Sequence, residues 1–334
     1  MSLYNSKKIE TFKYWRIIIE YMQPQADQNC PFCMISSGKI PAKEVYSDDR
    51  VKAVLDINPA AKGHVIIFPK NHYPIMPTIP PDEFKHLAKA AFEISKSVRS
   101  SIVSPTNKIF IANGAAAGQQ SSHFLIHIIP SDTLVNFELE NNQEKDTNIY
   151  QALKKNLNIM LTNHYKRENV QNQLISTEHL LETDKLRAKI PEKISAKGHI
   201  KIIPKKKIDD NNSLQEIFYL ASYAATAGFE YLNAEGTNIL MDECHGEIIS
   251  ADILPRFSND GVNFQWTPVG LAEHELDSIK NMIFKNAMTI DIQKKQSSAN
   301  FNNPKKKFCF EEFKKSIIST DETFISRKLR RIEN

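Results

Sequence analysis

The chain has 334 residues, enough for about two domains at roughly 150 residues each. Its 41% hydrophobic and 25% charged residues sit near the globular norm and exclude wholesale disorder. A net charge of +4 is too mild to announce a nucleic-acid binder, and four cysteines in a chain this long exclude a disulfide scaffold.

Residues 1–28 read as a leading segment with a candidate amphipathic helix over Ile9–Met22. Lys8, Glu10, Lys13, Arg16 and Glu20 interrupt every apolar run there, so no export-signal core is expected. Nor is there an apolar run long enough to span a bilayer. The expectation is a cytoplasmic protein without membrane contact. A polar connector follows at 139–173, briefly helical near Tyr150–Met160, and a polar tail begins near Gln293 with basic clusters at Lys305–Lys307 and Arg327–Arg331. These seams leave five parts: 1–28, 29–138, 139–173, 174–292 and 293–334.

The second and fourth parts repeat each other. Val45–His64 can be laid on Leu180–His199 without a gap at an offset of 135, which puts Ala61-Lys-Gly-His64 on Ala196-Lys-Gly-His199. In both copies a strand candidate follows the Gly-His pair, Val65–Phe68 and Ile200–Ile203. A helix comes next, with one apolar stripe through Phe84, Leu87, Ala88, Ala91, Ile94 and Val98 and another through Ile217, Leu220, Ala221, Ala224, Ala227 and Tyr231. Two more strands close each copy, Lys108–Ala112 with Phe124–Ile129 and Asn238–Met241 with Ile248–Leu254, the last of each ending in proline. There the offset drops to 125, so the second copy lacks several loop residues. Two related α+β domains are expected.

Four positions stand out in the first copy: Cys30, Cys33, His72 and His123. Cys30-Pro-Phe-Cys33 has two readings. A redox pair needs a long following helix to stabilise the thiolate, and Gly38 and Pro41 preclude one. Half of a zinc site needs two further donors, since zinc takes four nitrogen or sulfur ligands in a tetrahedron. His123 and His127 are four apart in a predicted strand and so share a face with Leu125. The small-residue loop Asn113–Gly118 before them is of a kind whose backbone N–H groups hold phosphate oxygens.

Residues 30–130 resemble the histidine-triad (HIT) family of nucleotide-binding hydrolases and transferases, in its zinc-containing prokaryotic branch. The likeness rests on Cys-Pro-Phe-Cys-Met-Ile-Ser-Ser-Gly-Lys-Ile-Pro, Val-Leu-Asp56-Ile-Asn-Pro, Lys-Gly-His64, Phe-Pro-Lys-Asn-His72, and Gly118-Gln119 ahead of the histidine strand. The resemblance implies a structural zinc ion on Cys30, Cys33, His72 and His123. It also implies a purine nucleotide or nucleoside phosphate held by Asp56 at the ribose, by Gly118, Gln119 and neighbouring Asn113 at the phosphates, and by His127. Taken from the residues alone, Asp56 reads equally as a strand-end turn residue.

One departure changes the chemistry. The family pattern places a nucleophilic histidine between the first and third triad positions, and here that residue is Leu125. Leucine has no lone pair, so the family's covalent nucleotidyl transfer cannot run from it. His127, the residual catalytic position, lies about 6–7 Å along a strand, too far to stand in. In the second copy Ile248, Ser250 and Asp252 fall on the triad positions, no CxxC precedes them, and Lys207 stands where His72 would. Two such copies on one chain resemble the family's edge-to-edge dimer fused into an intramolecular pseudo-dimer, alone or within a higher homo-oligomer.

Three functions are carried forward. One is a zinc-stabilised nucleotide-binding protein without the covalent chemistry. Another is an active dinucleoside polyphosphate or nucleoside phosphoramidate hydrolase or transferase with a non-standard nucleophile. The last is an interaction or RNA-associated protein working through the basic tail.

Overall fold

Alternating and wholly apolar stretches fold here into strands of one antiparallel sheet. The computed structural model describes residues 29–131, 139, 144–165, 179–206, 211–288 and 290, with the side chains of 159–165 and 211–215 excepted. The candidate helix Ile9–Met22, Lys207, Cys309 and the basic tail lie outside them. The described residues belong to one compact unit, Met1–Ile292.

The first half runs α1 (Pro31–Ser36), β1 (Glu44–Ser47), β2 (Val51–Leu55), β3 (Val65–Pro69), α2 (Pro81–Ile102), β4 (Thr106–Asn113) and β5 (Ile126–Ser131). After α3 (Thr147–Tyr165) come β6 (His179–Glu182), β7 (Leu186–Lys189), β8 (Ile200–Pro204), α4 (Asn211–Leu232), β9 (Gly236–Cys244), β10 (Glu247–Arg256) and α5 (Glu273–Ala287). The ten strands are ordered β1-β2-β3-β5-β4-β9-β10-β8-β7-β6. Read inward from either edge, each half contributes its strands in the same sequence. The halves join where β4 pairs with β9, from Thr106↔Cys244 to Asn113↔Thr237.

Chain physics places the helices. Pro81 opens α2 at a position where its missing N–H costs nothing, Asp82 and Glu83 complement the dipole in the first turn, and Arg99 does so in the last. Its stripe of Phe84, Leu87, Ala91, Ile94 and Val98 is buried in the same cluster as Ile67, Ile109, Ile111 and Ile128 of the sheet. Ile217, Leu220, Ala221 and Ala224 of α4 join that cluster with Ile200, Ile202 and Ile253.

The Gly-His pairs have a steric cause. Gly63 has φ +86°, and a Cβ there would lie 2.6 Å from Ile102 Cγ1; Gly198 has φ +79°, and its Cβ would lie 2.3 Å from Leu232 Cδ1. Each lets a turn close against the end of its half's long helix, a backbone shape and a gap that suit glycine.

The opposite face carries one row of laterally paired residues. His127 lies between Ile66 of β3 and Phe110 of β4; Phe110 pairs with Leu240, Leu240 with Asp252, Asp252 with Lys201, and Lys201 with Lys189. The chain after β10 returns to the first half, where the Val269 N–H bonds the Pro59 carbonyl at 2.8 Å and Lys43 meets Glu273 and Asp277 of α5.

The last strand of the first half begins at Ile126, two residues later than the predicted Phe124, so His123 precedes the strand. Phe124 spends its N–H on the Tyr73 carbonyl at 2.7 Å instead of on the ladder. No helix among the described residues is long and apolar enough to cross a membrane.

Candidate functional site

Cys30, Cys33, His72 and His123 converge, their donor atoms all within 4.8 Å of one another. Cys30 caps α1, Cys33 lies in its first turn, His72 follows β3 and His123 precedes β5. Cys30 Sγ and Cys33 Sγ lie 3.4 and 3.7 Å from His123 Nδ1, and Cys33 Sγ lies 3.4 Å from His72 Nδ1. A zinc ion with bonds of about 2.3 Å to sulfur and 2.0–2.1 Å to nitrogen needs S···N edges of about 3.5 Å. The cluster has that size. The other ring nitrogen of His123 donates to the Pro69 carbonyl at 2.8 Å, which leaves Nδ1 as the free donor atom. α1 is only six residues long, short of the helix a redox pair requires.

A second constellation lies along β5. The Ala60 N–H donates to His64 Nδ1 at 3.0 Å, so the ring proton of neutral His64 sits on Nε2. That N–H in turn meets His127 Nδ1 at 3.0 Å, which leaves the proton of His127 on its own Nε2. Burial drives both imidazoles toward the neutral form: His64 is held well below the usual histidine range, with His127 adding to the effect, and His127 falls to about 4. The relay begins at a backbone amide and ends in an N–H donor.

Asp56 lies beside this pair, with Oδ2 3.5 Å from His64 Nδ1 and 4.0 Å from His127 Nδ1. Burial raises its carboxyl pKa, opposed by the N–H groups of Asn58 and Ile57. Its Oδ1 accepts the Asn58 N–H at 2.8 Å, so Asp56 closes the turn after β2 and keeps Oδ2 by the histidines. Asp56, His64 and His127 are close enough to resemble a metal site. The Ala60 amide argues against one: a cation on His64 Nε2 would force the ring proton onto Nδ1, against that N–H.

Leu125 packs against Val54, Ile66 and Phe68, with Phe32 and Ile35 of α1 over the same cluster. The loop from Asn113 to Gln119 spends many of its own groups internally. Asn113 Oδ1 accepts the Met76 N–H at 2.7 Å; Gln119 Oε1 accepts the Gly114 N–H, and its Nε2 donates to the Pro74 and Ser121 carbonyls, all at 2.7 Å. The N–H groups of Ala117, Gly118 and Gln119 also turn inward, to Gly114 and Ala115 carbonyls. These three N–H groups close the turn that follows β4. Gly118, at φ +81°, faces open space.

Trp266 and Phe110 complete the site, and no motif marks either of them. The Trp266 indole N–H donates to the Asn58 carbonyl at 2.9 Å, and its ring meets His64 at 5.3 Å and His127 at 5.6 Å edge-on. Phe110 lies 6.0 Å from the His127 ring. The repeated Gly-His pair was the available signal for His64; nothing local to Trp266 reveals that it returns across the sheet.

The corresponding place in the second half is built differently. The Ser195 N–H reaches His199 Nδ1 at 3.3 Å, and His199 Nε2 meets Asp252 Oδ1 at 3.0 Å. Burial raises the pKa of Asp252, but His199 and Lys201, the latter 2.9 Å away, outweigh it and hold the carboxyl below its usual range. This relay ends in a carboxylate. Cys244 and His245 straddle the end of β9, and His245 has a positive φ in the two-residue turn to β10.

The HIT domain family matches residues 37–134. An uncharacterised HIT-like protein of Methanocaldococcus jannaschii is 42% identical over 101 residues, covering 30% of this chain and 78% of the relative. The adenylylsulfatase HINT3 of Arabidopsis thaliana is 38% identical over 102 residues, covering 30% of this chain and 52% of the relative. A zinc-bound histidine-triad family protein of Mycobacterium smegmatis has a solved structure 30% identical, covering 35% of this chain and 84% of that one, with a TM-score of 0.32.

Proposed function

Since the chain belongs to the HIT family, we propose that its first half binds a nucleotide beside a structural zinc ion and has lost the family's covalent nucleotidyl transfer at Leu125. The relay through His64 carries this reading. It presents the Nε2–H of His127, a donor suited to a phosphate oxygen, while a hydrocarbon side chain occupies the position a nucleophile would need. Asp56 supplies a carboxylate oxygen for ribose hydroxyls. Zinc on Cys30, Cys33, His72 and His123 would tie α1 to the ends of β3 and β5 and so fix the floor of the site.

We read the second half as a divergent copy and the whole as two HIT-like halves paired on one chain. The 135-residue offset, the mirrored strand order and the matched turns at Gly63 and Gly198 support this. The test is a thermal-shift series with purine nucleotides, followed by turnover of whichever binds, with an adenosine phosphoramidate and adenylyl sulfate included. Stabilisation without turnover is expected. Turnover at rates typical of HIT hydrolases would refute the loss of chemistry and favour direct attack by water; the adenylylsulfatase relative is the reason for including adenylyl sulfate.

A further inference from the structure

The second half directs a buried arginine at the first. Arg256 is the last residue of β10 and is 4% exposed; at the offset of 125 its place in the first copy belongs to Ser131. Its Nη1 donates to Oδ1 of Asn238, which is fully buried in β9. A guanidinium has donors only, so Asn238 turns its oxygen toward Arg256 and presents its amide N–H groups on the other side. There Asn238 Nδ2 donates to the Ala117 carbonyl at 2.9 Å, in the loop between β4 and β5. That loop rests directly on the start of β9: a Cβ on Gly236 would lie 2.8 Å from the Ala117 nitrogen and 2.9 Å from the Asn113 oxygen.

The rest of the guanidinium holds a different segment. Nε and Nη2 donate to the two Asp260 carboxylate oxygens at 2.7 and 2.8 Å, and Nη2 also donates to the Val262 carbonyl. The guanidinium lies 5.7 Å from the Phe264 ring, which in turn lies 5.8 Å from Phe110. Trp266, two residues on, meets both His127 and Phe110 edge-on. One side chain thus ties down two segments that reach His127, one joining its strand to β4 and the other carrying Trp266.

Given the nucleotide-binding reading of the first half, on which this inference rests, we propose that Arg256 is a positioning residue for that half's site. It acts through Asn238 on the loop and through Asp260 on the segment that bears Trp266. Bidentate pairing fixes the guanidinium plane, and with it both segments, before a ligand arrives, so the ligand does not bear the cost of ordering them. The arrangement runs one way. The short side chain of Ser131 cannot join two segments for the second half, where the relay ends in Asp252.

Affinity of the full chain for AMP and GMP should be measured by calorimetry well below each variant's melting temperature, with folding checked by circular dichroism. Arg256→Lys keeps the charge and loses the planar fork, and it should weaken binding of whichever nucleotide wild type takes by roughly tenfold. Asn238→Ala and Asp260→Asn each cut one branch; each should weaken binding by roughly threefold, and the two together by about as much as Arg256→Lys. Ile253→Val, in the core under α4 and away from the network, should lower the melting temperature and leave the affinity unchanged. Trp15→Phe leaves Trp266 as the sole indole, and in that background Asp260→Asn should shift the emission to the red while Asn238→Ala does not. Wild type that binds neither nucleotide overturns the nucleotide-binding reading and this inference with it. Wild type that binds, with Arg256→Lys and both branch variants binding equally well, overturns the role of Arg256 alone. An affinity that falls as far in Ile253→Val as in Arg256→Lys overturns it too, since the arginine then contributes only to folding.

Discussion

The two halves share a sheet, a helix placement and a histidine after the same turn, yet their relays end in opposite chemistry. In the first half the backbone amide of Ala60, His64 and His127 pass a fixed proton pattern outward to an N–H donor. In the second, Ser195, His199 and Asp252 pass the same pattern into a buried carboxylate held by Lys201. A donor attracts a phosphate and a carboxylate repels one. The proposed nucleotide site of the first half therefore has a counterpart of opposite charge at the same place in the second.

The largest expected difference between the halves is in metal dependence. Cys30→Ser should abolish about one bound zinc per chain, measured by atomic absorption. It should also lower the melting temperature steeply, because a structural zinc can supply on the order of 10 kcal/mol of apparent folding free energy. A wild-type protein purified metal-free without chelators would remove the basis of this contrast.

Next is the chemistry itself. Leu125→His restores a lone pair in the gap between His123 and His127 and should raise adenosine phosphoramidate hydrolysis from background to measurable turnover, read in a continuous assay. Ser250→His, at the matching place in the second half, should not: the connection before it is the two-residue turn His245-Gly246, against a twelve-residue loop before β5. Equal gain in both variants would show that loop and relay are irrelevant.

The cluster of Cys30, Cys33, His72 and His123 and the antiparallel α+β fold are legible because they follow from patterns in the sequence: CxxC, apolar periodicity and a Gly-His repeat at constant offset. The start of β5 was read two residues early because the tertiary bond from Phe124 to Tyr73 leaves no trace in periodicity. The bonds of the Ala117, Gly118 and Gln119 amides are illegible for a related reason. A small-residue loop shows that N–H groups lie close together, but only the folded turn shows which carbonyls have already taken them. The place of Trp266 is illegible because its contacts lie about 140–210 residues away in sequence.

The second-half relay gives a pH signature of intermediate size. Its carboxylate is held below its usual pKa, so Asp252 contributes stability that is present above about pH 4, where the unfolded group ionises, and is lost as pH falls through the folded value. Asp252→Asn should therefore cost about 1–3 kcal/mol in urea unfolding at neutral pH, with the gap to wild type closing under acid conditions. A gap independent of pH would mean that His199 and Lys201 do not favour the ionised form.

The smallest effect concerns what the second half contributes to the first. Trp266 reaches back from the segment after β10, covers His64 and His127 edge-on, and ties itself to the Asn58 carbonyl. Trp266→Phe keeps most of the ring area and removes one hydrogen bond, so stability should fall by about 0.5–1.5 kcal/mol. The informative readout is elsewhere. If the second half acts as a cover for the first-half site, nucleotide affinity measured by calorimetry should change in Trp266→Phe, whereas a polar-to-apolar change on α5 far from the site, such as Asn286→Ala, should leave it unchanged. An affinity indifferent to Trp266 would reduce the second half to a structural partner.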